Sequence, residues 1–195
     1  MATQNAFGLR WLGVTKSGAP GYLNRYGKGS SDAQPIYMND LLMKSAISVT
    51  DPEGGNPQPG CKAATVGTPG TGLWLGTSLN YGAASTATMH AVVDDPGALF
   101  VVQSDSSAAE TIASVVGKNA NLNVAAAGPV SLGSSTTKQS GMTLASSSIT
   151  TTASKDVRIT QFSPDNIFVN PDNAAYPILE IQIVLHQFAG QSAGV

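Results

Sequence analysis

The sequence offers few residues able to move protons, attack carbonyls or hold metals: two histidines, one cysteine and a thin scatter of carboxylates. His90 and His186 both fall in stretches that read as strands. Neither has a His or Cys at ligand spacing, so a metal site would need carboxylates from distant loops, and a structural role suits both better. Asp94 and Asp95 are adjacent, and neighbouring residues of a turn or strand point in different directions; they suit a reversal of the chain better than an acid/base pair across a substrate. Hydroxyls are abundant, but no Gly-x-Ser-x-Gly elbow supports one as a nucleophile. Cys61, within Gly60-Cys61-Lys62, is a lone thiol that can form no intrachain disulfide. Gly70, Gly72 and Gly76 miss the dinucleotide fingerprint by one residue, and no Walker sequence occurs. The expectation is a protein without catalytic, cofactor-binding or metal-ligating residues, and not an enzyme. A sugar-binding face would have to use Trp74 or the N-terminal aromatics, and core packing suits Trp74 better.

The elements that would position such residues are short. A chain of 195 residues suits one generous domain. It is 42% hydrophobic and only 11% charged, against a globular norm of roughly 25% charged. Its 21 glycines and 11 prolines punctuate it throughout, which fits many short strands joined by turns. A net charge of −2 with scattered basic residues provides no stripe for phosphates, so no nucleic-acid partner is expected. No window reaches the ~18 apolar residues of a membrane span, and the first residues lack a signal peptide's basic start and apolar run. No membrane partner is expected, and the product is expected to be made in the cytoplasm and to stay soluble.

These signals predict an all-β fold, a compact β-barrel or β-sandwich with an extended N-terminal arm over residues 1–34, one short helix, and a single β domain over 35–195. The arm carries Phe7, Trp11, Tyr22 and Tyr26 among many glycines; it docks by its rings, on its own domain or on a neighbouring subunit, with a lean to the second. Its predicted interface residues are Phe7, Leu9, Arg10, Trp11, Tyr22 and Tyr26, since aromatic and Arg side chains dominate interface energetics. Strands are predicted over 36–49, 88–93, 99–103 and 157–162. Asp94-Asp95-Pro96-Gly97 reads as the turn of a hairpin-like unit. Ser107 with Glu110 reads as a capping box for a helix ending near Gly117. Of the 24 residues from Ser131 to Ser154, 14 are Ser or Thr; short strands are favoured over loops there. From Ile178, Leu179, Ile181, Ile183 and Leu185 alternate with Glu180, Gln182 and His186, predicting a central strand. The expected core is Leu41, Met43, Trp74, Val92, Phe100, Val102, Ile112, Ile159, Ile181, Ile183 and Leu185.

Several phrases occur in an order that resembles a family of phage structural proteins, found in tailed phages of marine and other environmental bacteria and typically encoded near the major capsid protein. They run from Asn5-Ala6-Phe7-Gly8-Leu9-Arg10 through Pro35-Ile36-Tyr37-Met38-Asn39-Asp40 to Val93-Asp94-Asp95-Pro96 and Phe100-Val101-Val102-Gln103. Gly117-Lys118-Asn119-Ala120-Asn121-Leu122, Ser140-Gly141-Met142-Thr143-Leu144, Ala175-Tyr176-Pro177 and Leu185-His186-Gln187 follow. The resemblance implies a virion structural role, and its preferred form is a capsid decoration or cement protein on the capsid exterior, bound to the major capsid protein and to itself as a homotrimer rather than a homodimer. The alternatives are a minor virion component, such as a head fibre or tail part, and, less favoured, a carbohydrate-binding module.

Overall fold

A computed structural model of the protein describes residues 6–51, 55–64, 74–108, 110–124, 133–163 and 175–188. Among these, twelve strands and one short α-helix follow one another along the chain, with a single 3-10 turn at Ser146–Ser148. They are β1 (Arg10–Thr15), β2 (Leu23–Lys28), β3 (Leu41–Thr50), β4 (Pro57–Ala63), β5 (Trp74–Ser78), β6 (Thr88–Val93) and β7 (Ala98–Gln103), then α1 (Ile112–Val115), β8 (Asn119–Ala120), β9 (Leu122–Asn123), β10 (Thr143–Leu144), β11 (Val157–Phe162) and β12 (Ile178–Ile183). The fold is all-β. Five strands close a barrel in the order β2-β4-β3-β5-β6, five more form an antiparallel sheet in the order β1-β7-β12-β11-β8, and β9 pairs with β10.

Alternation along the barrel strands explains how they serve two cores at once. Successive side chains of a strand point to opposite faces, so Leu42, Leu75 and Val92 join Tyr26, Ile36 and Cys61 in a core made by the barrel strands. Their neighbours Leu41, Trp74 and Val93 face the other way and join Phe100, Val102, Ile159, Leu179 and Ile181 of the sheet in a second, larger core. Burial on both faces is why β5 is buried at every position. Asp156 stitches the bodies together: its carboxylate accepts the indole N–H of Trp74 at 2.9 Å and the backbone N–H of Leu122 at 3.0 Å.

The structure corrects several expectations. The segment over 1–34 is not an extended arm in its described part, because β1 is paired in the sheet and β2 in the barrel. Its strands escaped notice because β1 is an edge strand with a mostly exposed face and an irregular register between Trp11 and Thr15. The strands flanking Asp94-Asp95-Pro96-Gly97 make no hairpin: β6 belongs to the barrel and β7 to the sheet, so this turn is the crossing between them. The helix cap is not Ser107 with Glu110. Thr111 and Ser114 form the capping box, while Glu110 turns inward and accepts a hydrogen bond from Ser104 at 3.2 Å; Ile112 is accordingly exposed, and Val115 is the buried residue of the helix. Gly117 does follow the helix at φ +82°, the left-handed position that suits it.

Between residues 133 and 154 only Thr143 and Leu144 form a strand, and side-chain hydroxyls bond to nearby backbone instead, as Ser134 does with Thr136 and Thr137. The loop expected up to Gly60 is shorter, since β4 starts at Pro57. Both of its prolines lie before the one position where β4 meets β2, so the N–H groups they lack are not needed there. The central place of β12 is as expected, third of five strands. The turn expected at 67–72 and most of the loop expected at 163–177 lie outside the described residues.

Candidate functional site

Among the described residues, the crossing at Asp94-Asp95-Pro96-Gly97 carries a candidate binding surface. Asp95 shapes it by accepting the Gly97 N–H on Oδ1 at 2.7 Å, an Asx-type turn that a short carboxylate makes readily. Gln182 of β12 donates to the Pro96 carbonyl at 3.0 Å and ties the crossing to the sheet. Asp94 reaches the other way, into the barrel wall. Its two oxygens each lie 2.9 Å from the Asn24 amide nitrogen, and Oδ2 also accepts the Tyr26 hydroxyl at 2.6 Å. Burial, reinforced by the hydrogen bond to Asp94, pushes the Tyr26 phenol well above its ordinary value, so it stays a donor.

Two exposed rings complete the surface. Tyr22 precedes β2 and is 73% exposed; Phe188 is 51% exposed. Phe188 is delivered there by pairing at the start of β5, where Trp74 donates to the Leu185 carbonyl and accepts from the Gln187 N–H, both at 2.7 Å. His186, beneath it, is buried and receives the Phe188 N–H on Nδ1 at 3.1 Å. Burial holds its imidazole below the usual range against the opposing pull of Asp94 and Asp95. Tyr22, Phe188 and Pro96 thus wall a groove of about 490 Å³ over Asn24, Asp94 and Asp95. A second hollow, lined by Thr15, Lys16 and Pro20 among others, shares Tyr22 and Asp95 with it.

No family model matches the chain, and no curated protein or solved structure matches it either. The arrangement therefore has to be read from its own residues.

Of the predicted interface residues, the structure brings Tyr22 and Tyr26 together at this groove. The other four lie elsewhere. Leu9 is fully buried in the larger core, and Trp11 packs half-buried against that core. Arg10 is exposed with its guanidinium 5.4 Å from the ring of half-buried Phe7. Sequence reasoning missed Asn24 and Phe188 and gave Asp94 a turn role alone. The available signal was the pair of carboxylates with no basic residue near them in the chain.

His90, Lys28 and Cys61 are enclosed. Ser78 Oγ lies 2.8 Å from His90 Nδ1 and donates to the Asn80 carbonyl at 2.8 Å, so the imidazole donates to the hydroxyl, the reverse of what a nucleophile needs. Both residues are fully buried, and burial pulls His90 down to about 4. Lys28 is fully buried with its ammonium on the Asp32 carbonyl at 2.8 Å, and burial lowers its pKa. Cys61 faces the same interior, its thiol pushed up to about 12 by burial. Among the described residues no three His, Cys, Asp or Glu side chains cluster as metal ligands. Trp74 is fully buried, and no sugar can stack on it.

Proposed function

We propose that this chain is a phage virion structural protein that decorates the outside of the major capsid lattice and stabilises it, with the major capsid protein and further copies of itself as partners. The observation that carries the reading is an exposed apolar ribbon at the sheet edge. Residues 11–22 fold back on themselves: Val14 bridges Pro20, and the Trp11 indole lies 3.0 Å from where a side chain on Gly21 would begin. Leu12, Val14, Tyr22 and Leu23 are all exposed on or beside this ribbon. Among the described residues β1 has a strand partner on one side only, its other edge meeting just the Val14–Pro20 turn-back, and an edge strand with apolar residues is a ready surface for association.

The low charge of the chain supports the same reading, because few charges need to lose water when such a face is covered. A symmetric shell multiplies modest contacts into a stable attachment, so a decoration protein can hold on through small apolar contacts repeated many times. The sequence resemblance to phage structural proteins points the same way. Quantifying the chain against the major capsid protein in purified virions tests it. A simple stoichiometric fraction is the expected result; a handful of copies would make it a head-fibre or tail part, and absence would overturn the virion reading.

A further inference from the structure

The groove beside Asp94 gathers two exposed rings and two carboxylates, and no basic side chain lines it. The exposed rings of Tyr22 and Phe188 line it, and an aromatic ring carries negative charge density over its plane. Two carboxylates line it as well: Asp94 is buried, its oxygens taken by Asn24 and Tyr26, while Asp95 is half-buried and is bonded only by the Gly97 backbone; among the described residues neither is ion-paired. Lys16 lines only the adjoining hollow. Such a site repels phosphates and carboxylates and attracts a cation.

The shape narrows the choice of cation. Asp94 is held in place by Asn24 and Tyr26, so its orientation needs no reordering on binding. Asp95 spends Oδ1 on Gly97 and keeps Oδ2 for a ligand. A guanidinium is planar, weakly hydrated, stacks on aromatic faces and donates several hydrogen bonds in one plane, whereas an ammonium is compact and strongly hydrated. The groove's volume, about 490 Å³, lies toward the small end of ligand sites, enough for one side chain and its flanking backbone.

We propose that this groove takes an arginine side chain presented by a protein partner. The site itself stands on the groove's chemistry; that the partner is the coat lattice rests on the virion reading above. The test is an NMR titration of the full-length, 15N-labelled chain with N-acetyl-arginine methylamide, with the citrulline analogue as a neutral isostere and with methyl glucoside. Arginine is expected to shift the amides of Tyr22, Asn24, Asp95 and Phe188 saturably, with citrulline about tenfold weaker. Tyr22→Ala and Asp95→Asn each are expected to weaken arginine by about fivefold while the remaining amide spectrum is unchanged. Equal binding of citrulline, binding of the glucoside in place of arginine, or full arginine affinity in Asp95→Asn would each overturn the proposal. Virion copy number is an independent readout: arginine binding by a chain absent from virions would remove the coat lattice as partner and leave the groove assignment standing.

Discussion

Gly27 of β2 and Gly60 of β4 form the one parallel pairing that closes the barrel. Neither position has room for a side chain. A Cβ on Gly60 would sit 2.1 Å from the Ile47 carbonyl oxygen, and one on Gly27 would sit 2.3 Å from the Val49 Cβ, both neighbours lying on β3. The strand has an irregular register between Ser45 and Ser48, and Ile47 and Val49 there lie against the two glycines. Closure therefore depends on glycine for space rather than for conformational freedom.

Gly60→Ala should destabilise the protein by about 3 kcal/mol or more, because the obstacle is backbone and cannot rotate away. Gly13→Ala is the control: its φ is +83° but nothing lies within 4 Å, so only the backbone strain of about 1 kcal/mol is expected. Urea unfolding of both variants measures the difference, and equal losses would refute the steric account.

The Trp74–Asp156 hydrogen bond joins the barrel to the sheet across 82 residues of sequence. Trp74→Phe keeps most of the ring packing and removes the indole donor. It should cost about 1–3 kcal/mol, the range for leaving a buried polar group short of a partner. Asp156 keeps its bond from Leu122, so the variant should still fold. A loss below a few tenths of a kcal/mol would mean the bond does not couple the two bodies.

Much of the fold was legible where one strand carried its own signal. The runs at 88–93 and 157–162 are strands with those bounds, and β12 announced itself through Leu179, Ile181 and Ile183. What stayed hidden was which strand pairs with which. The Asp-Asp-Pro-Gly turn looks the same whether it reverses a hairpin or crosses between bodies, because turn chemistry reports local geometry and not the partner of the next strand. Ile112 was misplaced for a related reason: Thr111, not Ser107, caps the helix, which shifts the buried face onto Val115. The groove was half visible through Tyr22 and Tyr26. Asn24 and Phe188 reach it only through tertiary pairing, and no periodicity encodes that.

Two buried groups should pull the pH dependence of stability in opposite directions. Burial raises Asp40 from 3.8 to about 6, so the native state holds a proton there that the unfolded chain has released, and this contribution is lost as pH rises from about 4 to 6. Burial lowers His90 from 6.5 to about 4, so its contribution is present above 6.5 and is lost as pH falls toward 4. Relative to wild type, Asp40→Asn should therefore gain stability as pH rises through this window, and His90→Gln should gain as pH falls. Urea midpoints at pH 4, 5 and 6.5 give both difference curves; parallel curves for wild type and Asp40→Asn would show that Asp40 does not titrate as its burial requires.

The apolar ribbon makes the virion reading testable without harming the fold. Removing residues 1–12 would be a poor test, since it deletes Leu9, which is fully buried in the core, together with the first half of β1. Leu12→Lys and Val14→Lys are better, because both side chains are more than a third exposed and surface changes of this kind usually alter stability by no more than about 0.5 kcal/mol. If the ribbon is the attachment face, placing two ammonium groups on it forces each to lose water against an apolar partner, and virions should retain far less of the double variant than of wild type at equal input. Unchanged incorporation with an unchanged Tm would move the attachment face elsewhere on the protein. A Tm lowered by more than a few degrees would instead mean that β1 needs these side chains for its own pairing with β7.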